Sequence, residues 1–183
     1  MFKLIAFAVL SACLIYISWD SLRTPRSHGF YRFFAWEIIV ALFLLNMDAW
    51  FRNPFSWHQV VSWFLLIVCI IPLAFGIHSL TSQGRPAKHR EAEPQLLAFE
   101  KTTNLVTAGI YHYIRHPLYS SLVFLVWGIF FKIPTWFGTL LASAATLFLV
   151  ATAKADEAEC IRFFGPAYEA YMKQTKMFVP FLI

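Results

Sequence analysis

The chain has 183 residues, of which 59% are hydrophobic and 14% are charged, with a formal net charge of +5. Soluble domains carry about 25% charged residues, so this chain is too poor in charge for an aqueous fold and reads as an integral membrane protein, one domain over 1–183. The basic balance points to a membrane surface and not to nucleic acid, because the cations sit in short segments between apolar runs.

A transmembrane helix needs about 20 mostly apolar residues. In chain order the sequence predicts spans over 2–19, 30–50 and 57–80, then a short one over 117–131 and a last one over 134–154, an all-α membrane protein of five transmembrane helices. Leu10-Ser11-Ala12-Cys13 has the form of a lipoprotein cleavage box. The apolar run continues through Ile17 with only Lys3 ahead of it, so the first span is expected to stay uncleaved. The span from Pro117 would be about 22 Å long, shorter than the roughly 30 Å hydrocarbon layer, and calls for thinning or burial against neighbours. Lys132-Ile133-Pro134 makes the last two spans a helical hairpin. The final helix is expected to continue over 155–164, end at Gly165-Pro166, and lead to an amphipathic helix over 168–176 on the membrane surface. The long connection 81–111 is expected to hold a short helix over 96–105.

Five spans put the termini on opposite sides. Lys3, Arg52 and Lys132 fall on one side and the other 12 of the 15 Lys and Arg on the other. The richer side is expected to be cytoplasmic and the N-terminus external, as in a bacterial inner membrane. Cys13, Cys69 and Cys160 are isolated and are expected to act as apolar filler.

Two polar clusters interrupt this pattern. The first is Gly109-Ile-Tyr111-His-Tyr-Ile-Arg115-His116-Pro117-Leu-Tyr119. Pro117 disfavours helical geometry at His116, so 111–116 is expected to be a turn at the head of a span. There Arg115 presents a fork suited to carboxylate or phosphate, and His116 can donate or accept. His112 and His116 have helix-like spacing, but Pro117 interrupts the helix, and no metal is expected. The second cluster is Asp156-Glu157-Ala-Glu159, followed by Phe163-Phe164-Gly165, Tyr168 and Tyr171. Carboxylates near a helix C-terminus oppose its dipole, so a partner is expected for Glu157 at the Arg115-His116 turn, which the hairpin puts at the same depth. An aromatic belt and a solvated helix end explain the clusters taken singly. Glu37 lies roughly 10 Å inside the second span, either as a substrate contact or paired with Arg32 or a Trp.

The pattern Leu105-Val106-Thr107-x-Gly109-x-Tyr111-x-x-x-Arg115-His116-Pro117-x-Tyr119, then the acidic pair and Phe164-Gly165-x-x-Tyr168-x-x-Tyr171, resembles the isoprenylcysteine carboxyl methyltransferases. The membrane phospholipid N-methyltransferases share much of it. The resemblance covers about 105–180, with a catalytic part of about 103–180. It implies S-adenosylmethionine bound at the cytoplasmic end of the last two helices, S-adenosylhomocysteine as product, and a lipid-like substrate entering from the bilayer. On this resemblance Thr103, Asn104, Leu105, Val106, Gly109, Tyr111, Arg115, His116, Pro117, Tyr119 and Glu157 would line the cofactor. Arg115, His116 and Glu157 would be catalytic. The family's basic residue before the acidic pair is Thr152 here; Lys154 nearby, Glu37 and Tyr168 would meet the substrate.

The expected activity is methyl transfer to a lipid-like or isoprenylated acceptor, of the prenylcysteine carboxyl type. The alternative within the class is a phospholipid or another small lipophilic amine or thiol. A small transporter or a haem-carrying subunit competes from other classes, although neither repeats nor paired intramembrane histidines are visible.

Overall fold

The computed structural model describes residues 1–84 and 102–180. Among them the regular structure is helical: α1 (Phe2–Ile17), α2 (Trp19–Leu22), α3 (His28–Asn46), α4 (Trp57–Val68), α5 (Ile70–Gln83), α6 (Pro117–Phe130), α7 (Trp136–Phe164) and α8 (Pro166–Gln174). The stretches His28–Ala49, Trp57–Gln83 and Trp136–Phe164 are long and apolar enough to cross a membrane; Phe2–Ile17 and Pro117–Phe130 are shorter apolar helices. Each predicted span coincides with one of these five stretches, and length and composition alone license three crossings. Of the short helix predicted over 96–105, residues 96–101 lie outside the described residues, and 102–105 are not helical.

Local chemistry explains the breaks. Pro72 has no N–H for the carbonyl of Val68 and its ring crowds that group, so α4 stops there and α5 starts at Ile70. Ser27 caps α3 by accepting from the Phe30 N–H at 3.1 Å, and Thr135 caps α7 by accepting from Gly138 at 3.0 Å. Pro117 occupies the first turn of α6, where a missing N–H costs nothing.

The core lies between α3, α6 and α7, built on Ala35, Leu42, Val126, Ile129, Phe130, Ala142, Ala145 and Leu149. Small Ala142 and Ala145 let α7 approach α3 closely, the usual device of helix packing in lipid. Large apolar side chains such as Phe64, Ile67, Ile71, Phe75, Leu140 and Leu147 point outward, as a hydrocarbon solvent permits.

One end of the bundle is closed by Lys132. It is fully buried in the α6–α7 turn, donates to Gln59 Oε1 at 3.1 Å, and sits 3.6 Å over the Trp63 ring. Gln59 in turn donates to the carbonyls of Ala49 and Lys132. Lys132 therefore satisfies internal acceptors and an aromatic face, where the sequence suggested only a loop cation.

At the other end α7 runs unbroken to Phe164, about 43 Å in length, so its last turns extend beyond a layer of roughly 30 Å. Gly165, at φ 59 and ψ −138, reverses the chain into α8. α8 covers 166–174 where 168–176 was expected, and its Tyr168 and Tyr171 are buried against the protein. After α8 the chain runs beside the turn before α6, with Ile114 and Lys176 in a parallel bridge. The N–H groups of Arg115 and His116 donate to the carbonyls of Lys176 and Met177 at 2.8 and 3.1 Å.

Gly165→Ala places a Cβ in open space but in backbone geometry reserved for glycine. It should cost roughly 1–3 kcal/mol, measurable as a lowered midpoint of thermal unfolding in detergent.

Candidate active site

The cleft at this end is walled by Leu80, Thr102, Leu105, Val106, Tyr111, Arg115, His116, Leu118, Tyr119, Asp156, Glu159, Cys160, Phe164, Tyr168 and Tyr171. Four chain segments meet there: the end of α5, the 102–119 turn, the last turns of α7, and α8. Gly109, at φ 66, starts the 3₁₀ turn Gly109–His112, and a Cβ on it would lie 2.7 Å from Ser79 Oγ. Tyr111 thereby turns into the cleft, and its carbonyl accepts from the Tyr171 hydroxyl at 2.6 Å.

Arg115 joins the segments. Its Nε donates to Glu157 Oε1 at 2.7 Å, and its Nη1 donates to the carbonyls of Met172, at 3.2 Å, and Thr175. His116 is buried and stacks on Tyr119. Its Nδ1 lies 3.4 Å from Asp156 Oδ2 and its Nε2 3.4 Å from Glu157 Oε1. Burial disfavours the charged imidazole, but the two carboxylates outweigh it and hold the His116 pKa above its ordinary value. Burial, with the nearby acids, pushes the Tyr168 hydroxyl far up, so it remains a neutral donor.

The expected site residues divide. Leu105, Val106, Tyr111, Arg115, His116, Tyr119 and Tyr168 face one cleft. Gly109 lines an open groove on the other side of the 105–113 strip, with Ile71, Phe75 and His112. The Thr103 and Asn104 N–H groups close the loop on the Gly84 carbonyl at 3.2 and 3.4 Å, and Pro117 packs near Gly76 behind the wall. Glu157 meets Arg115 as expected but is not among the cleft-lining residues; Asp156 and Glu159 are. Successive residues of a helix point about 100° apart, so 156, 159, 160 and 164 share the cleft face while Glu157 turns toward Arg115. That spacing was the available signal for the residues sequence reasoning passed over. Lys154 is exposed outside the cleft. Glu37 is remote, its Oε2 accepting from Ser11 at 2.6 Å and not from Arg32 or a Trp. His28, whose ring nitrogen lies 2.6 Å from Glu159, and the 175–178 segment went unnoticed because only the tertiary fold brings them here. Among the described residues no group of three or more His, Cys, Asp or Glu is placed to hold a metal.

Fold and site define a helical membrane protein with a cleft of carboxylates, an Arg, a His and tyrosines at one end of its bundle. Residues 91–165, less than half of the chain, match the family described as phospholipid methyltransferase. Methanethiol S-methyltransferase of Crocosphaera subtropica is 30% identical over 76 residues, 42% of this chain and 29% of that protein. Methanethiol S-methyltransferase 1 of Bradyrhizobium diazoefficiens is 23% identical over 184 aligned positions, 96% of this chain and 53% of that protein. Protein-S-isoprenylcysteine O-methyltransferase of Schizosaccharomyces pombe is 36% identical over 81 residues, 43% of this chain and 34% of that protein. The chain thus spans between about a third and a half of the length of these relatives. No solved structure matches it.

Removing one partner of a buried ion pair strands the other. Arg115→Ala should therefore lower stability by about 3–5 kcal/mol, and the Arg115→Ala/Glu157→Ala pair should fall short of additivity by at least about 0.5 kcal/mol, as measured by denaturant unfolding in detergent. A raised folded pKa means that His116 adds stability fully below its unfolded pKa, near 6.5, and loses it as pH rises through the folded pKa. The gap in unfolding midpoint between wild type and His116→Gln should accordingly narrow from pH 5.5 to pH 8.5.

Proposed function

We propose that the protein is an S-adenosylmethionine-dependent methyltransferase acting on an apolar acceptor embedded in the membrane. The observation that carries this reading is the convergence of the Arg115-His116 turn with Asp156 and Glu159 in one tyrosine-lined cleft at the end of the α6–α7 hairpin. The donor set suits the cofactor: carboxylates and aromatic faces favour a sulfonium cation, and Leu105, Val106 and Leu118 offer an apolar wall. Tyr111, Tyr119, Asp156 and Tyr168 would hold it, and when bound it supplies an activated methyl group.

The chain's own residues then have to position and dehydrate. Arg115, fixed by Glu157 and the 172–175 carbonyls, keeps the turn against α8, so the wall is rigid and alignment costs little entropy. Phe164, Tyr168 and Tyr171 exclude water, which strengthens attraction between a nucleophile and a cation. His116, held between Asp156 and Glu157, is placed to retain a proton on the cleft wall near neutral pH. The distribution of Lys and Arg supports a cytoplasmic cleft and an external N-terminus, and the C. subtropica and S. pombe relatives support a thiol or prenylcysteine acceptor.

Incubation of the purified protein with methyl-labelled S-adenosylmethionine and a total membrane lipid extract should label an organic-soluble product. Calorimetry should give S-adenosylhomocysteine a micromolar Kd that Asp156→Asn weakens about tenfold. Absence of heat in the wild type would refute the reading.

A further inference from the structure

Glu159 lines the cleft with its side chain 18% exposed. His28, the first residue of α3, grips it from behind. The His28 backbone N–H donates to Oε1 at 2.9 Å, and ring Nδ1 lies 2.6 Å from Oε2. The ring is 1% exposed and its Nε2 is buried without a hydrogen-bond partner, so the polar contact of this imidazole goes to Glu159. A carboxylate accepts at about four lone-pair sites; the contacts with His28 leave both oxygens able to accept again. Asp156 and Arg32 are the other charges near His28, and Arg32 is buried on α3 and not among the cleft-lining residues. Of the charged groups on the cleft wall among the described residues, the cations Arg115 and His116 are met by Glu157 and Asp156, and Glu159 is the carboxylate that pairs with neither of them. An acceptor carboxylate would face like charge there, whereas an S–H or N–H group would face an acceptor.

Resting on the methyltransferase reading, we propose that Glu159, positioned by His28, takes the proton of the methyl acceptor, which makes that acceptor a thiol or an amine on an apolar chain and not a carboxylate. In the step the X–H bond breaks and its electron pair stays on X. The X–CH3 bond forms as the sulfonium S–CH3 bond breaks, that pair returns to sulfur, and the proton passes to Glu159. His28 touches no reacting atom and is a positioning residue.

The test uses the full chain in lipid nanodiscs with methyl-labelled S-adenosylmethionine and three probes: dodecanethiol, dodecylamine and N-acetyl-S-farnesylcysteine. Label should enter the thiol or the amine at least about tenfold faster than the carboxylate. Glu159→Gln should lower kcat on the preferred probe by about 100-fold, while S-adenosylhomocysteine affinity is unchanged. His28→Ala should raise KM for the acceptor about tenfold, and His28→Asn, which keeps a donor in place of Nδ1, should restore most of it. Without methyl donor, Trp fluorescence should report tighter binding of dodecylammonium than of dodecanoate, a readout independent of how the variants fold. Transfer to the carboxylate as fast as to the others, transfer to neither thiol nor amine, wild-type kcat in Glu159→Gln, or equal binding of the two dodecyl ions would overturn the proposal. Loss of S-adenosylhomocysteine binding in the wild type would instead remove the methyltransferase reading beneath it.

Discussion

The guanidinium of Arg115 is the junction on which the cleft depends. It ties the turn before α6 to Glu157 on α7 and, through the Met172 and Thr175 carbonyls, to the end of α8. Three segments that the chain visits far apart are thereby held to one geometry. The same residue's backbone donates to the Lys176 carbonyl in the 175–178 segment, so the turn is fixed from both its main chain and its side chain. The Nε and Nη1 groups of Arg115 donate to protein acceptors, which offsets the cost of holding a charge with little access to water.

The two ends of the bundle solve the problem of polar groups in an apolar solvent differently. At the Lys132 end the polar groups satisfy one another: Lys132, Gln59, the Ala49 carbonyl and the Trp63 face form a closed set. At the cleft end the carboxylates of Asp156 and Glu159 are each held by a histidine from one side, His116 and His28, while the other side opens on the cavity. Closed pairing stabilises without chemistry; one-sided pairing leaves acceptor capacity for a ligand. This difference, more than the aromatic lining, supports placing the proposed chemistry at the cleft end.

Much of the architecture was visible in the residues. Apolar runs, Pro117 and the Gly165-Pro166 stop are local signals, and local signals set helix ends because backbone geometry and missing donors act within a turn. The pairing of Arg115 with Glu157 also followed, since a hairpin puts its two open ends at one depth. What did not follow was the rotation of α7, which turns Glu157 away from the cavity and Asp156 and Glu159 into it. Nor did the use of α8, whose tyrosines pack inward: an amphipathic face shows that a surface will be covered and not what covers it.

The sequence by itself determined a charge-poor helical membrane protein with two polar clusters converging at one end, because hydropathy and helix-breaking residues act through neighbours in the chain. Only the tertiary structure decided which carboxylates face the cleft, that His28 stands behind Glu159 across 131 positions, and that the segment after α8 braces the Arg115 turn. Those contacts depend on helix rotation and on the return path of the chain, which arise from the packing of all the helices at once: spacing groups 156, 159, 160 and 164 on one face of α7 but does not say what that face meets.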